Sequence, residues 1–152
     1  MHLPDLRGWL KCHHPLVSLP VQFRAAELPG FELVWNYWSP VRQGGAANAQ
    51  RSEKKRILYG ALLQVGSDTL EALDQKEGHP TRYSRLPKPL NCRSLDGQLE
   101  VEAWIYQVTD EYRSAQPISP TASYLKLLTE GAEALKLPSP YLRWLYQTSI
   151  AL

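Results

Sequence analysis

Apolar and polar residues change rhythm along this chain at points marked by glycine and proline. From Phe31 to Trp38 aromatic and β-branched residues dominate, with Pro29-Gly30 before them and Ser39-Pro40 after, which predicts a strand. Gln43-Gly44-Gly45-Ala46-Ala47-Asn48 follows, and then a polar, charged loop as far as Lys55. Ile57 to Val65 is an apolar run of strand length that stops at Gly66, the pattern of a buried strand. Tyr83 to Asn91 and Leu99 to Val108 predict two more, although Pro87 and Pro89 confine part of the first to an edge or an irregular path. Between them Asp96-Gly97 predicts a two-residue hairpin, because such a turn needs a positive φ that Gly and Asp tolerate.

Helical spacing replaces this alternation elsewhere. Ser67 to Lys76 places Leu70 and Leu73 on one face, with Ser67 or Asp68 as N-cap and Gly78 as the stop. Between Pro120 and Leu135 the helical series is Tyr124, Leu128, Gly131 and Leu135. Beyond Leu137-Pro138, Ser139-Pro140 opens a last helix, an N-cap followed by proline where its missing N–H costs nothing. Strands interspersed with helices, plus an antiparallel hairpin, predict an α+β domain. The 152 residues show no repeat and no break in composition, so a single domain over 1–152 is expected.

Composition excludes several classes of protein. The apolar share of 43% and charged share of 21% rule out a disordered chain. A net charge of +2 is too small to argue for nucleic acid. The densest basic run, Arg51 with Lys54, Lys55 and Arg56, is interrupted by Glu53 and reads as a solvated loop. Cys12 and Cys92 form no CxxC pair, so neither a disulfide framework nor a zinc site is indicated. No apolar stretch has the length of a signal-peptide core or a membrane span, which predicts a cytoplasmic protein with no membrane partner. Trp9, Trp35, Trp38, Trp104 and Trp144 fit a core or barrel lining better than a nucleobase platform. His13 and His14 are adjacent and therefore diverge, with no carboxylate at ligand spacing. His79, between Gly78 and Pro80, reads as a turn residue placed to tune its neighbour Glu77.

Glu77 is the informative residue. Seven residues separate it from Leu70, and at ~100° per residue that returns to within about 20° of the same face. Leu73 shares the stripe, whereas Glu71 and Asp74 point outward or sideways. Glu77 also ends its helix just before Gly78. Apolar surroundings and the negative end of the helix dipole both disfavour a charged carboxylate. A carboxylate raised in this way can take a proton from an amine near neutral pH and return it later. The competing reading is a solvated glutamate in the fraying last turn of a surface helix.

The segment Leu73-Asp74-Gln75-Lys76-Glu77-Gly78, followed by Tyr83, resembles the signature of the γ-glutamylcyclotransferase (AIG2-like) family, a Leu-Asp-x-x-Glu-Gly run followed by a Tyr. Phe31-Glu32-Leu33-Val34-Trp35-Asn36 resembles that family's early strand, and Gly45-Ala46-Ala47-Asn48 its small-residue segment. Ile57-Leu58-Tyr59-Gly60-Ala61-Leu62-Leu63 resembles the strand before its catalytic helix, and Glu102-Ala103-Trp104-Ile105-Tyr106 the strand that ends in a substrate-contacting tyrosine. Pro120, Ser123-Tyr124, Gly131-Ala132 and Leu137-Pro138-Ser139-Pro140-Tyr141 resemble its closing helices.

The resemblance implies a small mixed β-barrel flanked by helices, with the pocket at one mouth. It implies an enzyme that converts a γ-glutamyl amino acid or γ-glutamyl amine into 5-oxoproline and the free amine. Glu77 would be the general base and acid, and Tyr106 and Tyr83 would bind substrate. No metal or organic cofactor is required, no nucleic acid is involved, and a monomer or weak dimer suffices. In the strand, Tyr106 shares one face with Trp104 and Glu102 while Val101, Ala103 and Ile105 take the other, and either face serves as interior. The chain departs from the family at its start. The family's first strand and Tyr-Gly-Ser-Asn loop have no counterpart here, and Met1-His2-Leu3 falls where the family continues after that loop. An upstream strand and glycine loop are therefore expected. Without them, the other reading is a non-catalytic small-molecule-binding or scaffold protein on the same fold.

Overall fold

The computed structural model describes residues 2–19 and 23–150. Met1, where the resemblance sets the join with an upstream loop, lies outside the described residues. The elements run α1 (Leu3–His13), β1 (Phe23–Pro29), β2 (Phe31–Ser39), β3 (Gly44–Arg51), β4 (Ile57–Leu63), α2 (Ser67–Glu77), β5 (Tyr83–Arg85), β6 (Leu90–Ser94), β7 (Glu100–Ala103), β8 (Tyr106–Val108), α3 (Ala122–Ala134) and α4 (Ser139–Ile150). The class is α+β, as the alternation of patterns predicts.

Among the described residues the strands form three antiparallel sheets: β4-β1-β6-β7, β2-β3 and β5-β8. The first two share an interior in which Leu28, Phe31 and Cys92 pack with Ala49, Leu58, Leu62, Leu90, Ala103 and Ile105, and the third packs through Tyr83 and Val108 against Tyr37 and Ala46. Where the resemblance implies a small barrel, the described strands pack as separate sheets around these clusters without closing into one continuous barrel. Gly30, at φ 77°, turns the chain from β1 into β2; its N–H meets the Arg56 carbonyl and its own carbonyl accepts from Ser52 N–H. On β1 and β4 the register sets Ala25 opposite Ala61 and Glu27 opposite Tyr59. Ala25, Tyr59 and Ala61 face Ala132, Leu135, Leu137 and Leu145, so the small residues admit α3 and α4 close to the sheet. On the far side, Leu6 and Leu10 of α1 cover Ala72 and Leu73 of α2.

A buried amide chain joins the ladders. β2 bulges between Trp35 and Tyr37, which turns the Asn36 side chain inward. Asn48 Nδ2 donates to Asn36 Oδ1 at 3.0 Å, and Asn36 Nδ2 donates to Gln50 Oε1 at 3.0 Å. Asn48 Oδ1 accepts the Val108 N–H at 2.9 Å, and Gln107 Nε2 donates to the Ala49 carbonyl at 2.9 Å, so β8 is held beside β3.

Several expectations need correction. Residues 44–51 form strand β3 and only 52–56 loop, because Gly45 must lie flush against the 118–119 backbone and Asn48 must reach Val108. β4 is half-buried, with Ile57 exposed, since it is the outer strand of its sheet. The hairpin after β6 spans four residues: Ser94 N–H bonds to the Leu99 carbonyl, and Gly97 takes the positive φ of 71°. The N-cap of α2 is Gly66, and Asp68 turns back to the Ser18 N–H at 3.2 Å. Tyr83–Asn91 and Leu99–Val108 each divide between two ladders. Trp38 and Trp104 are exposed, and the basic run is partly structured, with Arg51 over Phe31 and Arg56 on Glu32. Among the described residues no helix is long and apolar enough to cross a membrane, and no group of His, Cys, Asp and Glu could hold a metal ion.

Candidate active site

Helix α2 ends where the pattern predicts. Gly78 adopts the left-handed conformation (φ 73°, ψ 36°), and its N–H and that of His79 cap the Asp74 and Gln75 carbonyls. This termination leaves Glu77 on the last turn with its side chain 28% exposed. Burial raises its carboxyl above the ordinary value, opposed by the Lys76 ammonium at 4.0 Å and, more weakly, by Arg42. The carboxylate thus sits in the half-desolvated setting expected from its stripe.

Three tyrosines surround it electrostatically, and each phenol is held above its usual pKa chiefly by burial. Tyr83 comes from β5 and donates to the Ala47 carbonyl at 2.8 Å; its ring meets Tyr37 edge-on. Its one proton is thereby committed to Ala47. Tyr124, on the first turn of α3, accepts the Ala47 N–H at 3.4 Å and lies under the Arg42 guanidinium at 4.8 Å. Both polar groups of Ala47 are therefore clamped by tyrosines. Arg42 is itself steadied by Asp5 of α1 at 3.7 Å.

Tyr106 opens β8. Residues 102–106 do not alternate along one strand, because β7 ends at Ala103 and β8 begins at Tyr106 in another sheet. Ile105 enters the cluster of Leu28, Phe31 and Cys92 while Tyr106 packs against α1 and α2. The Tyr106 hydroxyl donates to Asp74 Oδ1 at 2.6 Å, and Asp74 Oδ2 receives Arg85 Nη2 at 3.1 Å. Asp74 is therefore turned in, only 18% exposed, rather than outward. Sequence reasoning missed it, although it stands three residues before Glu77 within the same signature. The electrostatic influence of Arg42 on Glu77, and of Glu77 on Tyr124, was also missed, because an interaction between residues so far apart has no periodic trace. His79 accepts the Arg85 N–H on Nδ1 at 3.3 Å, which puts its ring proton on Nε2 when neutral, and its ring faces Tyr106 edge-on. His13 stacks on Trp9.

The fold is thus α+β, with a helix-terminal glutamate whose charge is felt by three tyrosines. The chain belongs to the AIG2-like family, whose model matches residues 57–145, the stretch that carries Glu77, Tyr83 and Tyr106. Its fold is shared with a solved γ-glutamyl cyclotransferase at 21% identity and a TM-score of 0.74, covering 95% of this chain and 82% of that one. It is shared also with the uncharacterized human protein loc79017, at 22% identity and TM-score 0.73 over 90% of this chain and 78% of that one. YkqA from Bacillus subtilis matches at 16% identity and TM-score 0.73, over 98% of this chain and 50% of that one. No curated protein sequence matches the chain.

Proposed function

We propose that this protein is a cyclotransferase that converts a γ-glutamyl amino acid or γ-glutamyl amine into 5-oxoproline and the free amine. The observation that carries the reading is the half-buried Glu77 carboxyl, raised by burial and placed among Tyr83, Tyr106 and Tyr124 on a chain of the AIG2-like family. The fold shared with a γ-glutamyl cyclotransferase supports it.

Ionised Glu77 takes a proton from the substrate's α-ammonium. The freed amine attacks the γ-carbonyl of the same molecule, forming the five-membered ring; the new ring nitrogen sheds its extra proton to water as the tetrahedral centre collapses. Glu77 returns a proton to the departing nitrogen, so the carboxylate is regenerated and the products are 5-oxoproline and an amine. Raising the glutamate brings its basicity closer to that of an amine near neutral pH, which favours transfer in both directions. Tyr83 contributes an apolar wall, and Tyr106 a polar contact to the glutamyl part. Holding the chain folded makes the attack effectively unimolecular. No metal or organic cofactor enters this scheme.

The test is 5-oxoproline release from a panel of γ-glutamyl amino acids and amines. Glu77→Gln is expected to lower the rate by about 10² or more, the usual loss for a general base, with the fold retained. A panel with no turnover, or a Glu77→Gln variant as fast as wild type, defeats the reading.

A further inference from the structure

A phenol has one proton to give and two lone pairs to receive with. In Tyr106 the proton is already given, to Asp74 Oδ1 at 2.6 Å, within the range of a hydrogen bond to an ionised carboxylate. The acceptor cannot easily turn away. Asp74 Oδ2 is engaged by Arg85 Nη2 at 3.1 Å, and the Arg85 guanidinium lies over the Trp104 ring at 5.3 Å. Backbone bonds tie the same pieces together, since His79 N–H caps the Asp74 carbonyl and Arg85 N–H bonds to His79 Nδ1.

We propose that Asp74 is a positioning residue: by accepting the Tyr106 hydroxyl it leaves the phenol oxygen only lone pairs to offer, making Tyr106 the acceptor that holds the substrate's α-amine. This rests on the cyclotransferase reading and assigns a task within it. Tyr106 cannot supply a proton to a developing oxyanion without breaking its bond to Asp74. An amine, in contrast, has N–H groups to give. One N–H held on Tyr106 leaves the nitrogen lone pair free to face the γ-carbonyl. Asp74 and Glu77 are three residues apart on α2, so their side chains rise from the same flank about 5–6 Å apart at Cβ. The acceptor for the amine and the base for its proton are thus set by one helical turn.

The experiment compares wild type, Tyr106→Phe, Asp74→Asn and the double variant. It measures kcat/KM on the best γ-glutamyl substrate and inhibition by the same γ-amide lacking its α-amine. Asn cannot serve both partners of Asp74, because whichever way its amide lies, Arg85 or Tyr106 meets an NH2 group. Each single variant is expected to lose about 10-fold or more in kcat/KM, as for a hydrogen bond to a charged group. The double variant should be no worse than Tyr106→Phe alone, and inhibition by the deaminated analogue should stay within about twofold. Additive losses, inhibition that weakens in step with catalysis, or unchanged kinetics in either single variant overturn the proposal. Should Asp74→Asn fail to fold, the Tyr106→Phe comparison of substrate with deaminated analogue still decides it. A wild type with no turnover on any substrate overturns the cyclotransferase reading instead; an active wild type with additive losses overturns this inference alone.

Discussion

Gly45 is the position at which a single methyl group should do most harm. It sits on β3, where a Cβ would lie 1.9 Å from the Ile118 carbonyl oxygen and 2.8 Å from its carbon. Close C···O contacts in proteins run at about 3.3 Å, so the 118–121 segment would have to withdraw by more than roughly 1 Å. That movement opposes two backbone bonds, Gly45 N–H to Ser119 O at 2.8 Å and Ile118 N–H to Trp35 O at 2.7 Å. Overpacking costs about 1–3 kcal/mol, and each buried group left unpaired about 1–3 kcal/mol more. Gly45→Ala is therefore expected to lose about 3–5 kcal/mol, which for a domain of this size lowers Tm by about 10 °C or more. Thermal melting followed by circular dichroism measures it. Gly8→Ala is the control: Gly8 is exposed within α1 with nothing within 4 Å of a Cβ, so Ala should gain up to ~1 kcal/mol of helix preference. Wild-type melting in Gly45→Ala would falsify the close seating of this loop on β3, and with it the reason the strand is built from small residues.

Glu77 also makes stability depend on pH. With its pKa raised by burial, the folded protein binds more protons than the unfolded chain between the ordinary and the raised value. Stability therefore falls as pH climbs through that window and stays lowered above it. Glu77→Gln should melt like wild type at pH 4 and higher than wild type at neutral pH; an equal offset at both pH values refutes burial as the cause. Asn48 is 1% exposed and serves both Val108 N–H and Asn36 Oδ1. Asn48→Ala should cost about 2–4 kcal/mol in urea unfolding, and a loss below ~1 kcal/mol would show that β3 and β8 are held together by something else.

Local patterns were sufficient for much of this protein. The aromatic run into Ser39-Pro40, the Leu70–Leu73–Glu77 stripe stopped by Gly78 and the Ser139-Pro140 start each encode an element within a few residues, so β2, α2 and α4 were legible. The raised Glu77 was legible too, because apolar spacing and a helix end both act on it locally. Where the partner is distant in sequence, the pattern is silent. β1, at the centre of the four-stranded sheet, reads Phe-Arg-Ala-Ala-Glu-Leu-Pro, with little intrinsic strand preference. Its small residues are explained only by α3 and α4 pressing against Ala25 and Ala61. The glycine-alanine run of β3 looks like a loop until the 118–121 segment lies on Gly45. Asp74 looks solvated until β8 delivers Tyr106 and β5 delivers Arg85. Periodicity reports which face of an element is buried, whereas the identity of what buries it is settled only when the ladders close on one another.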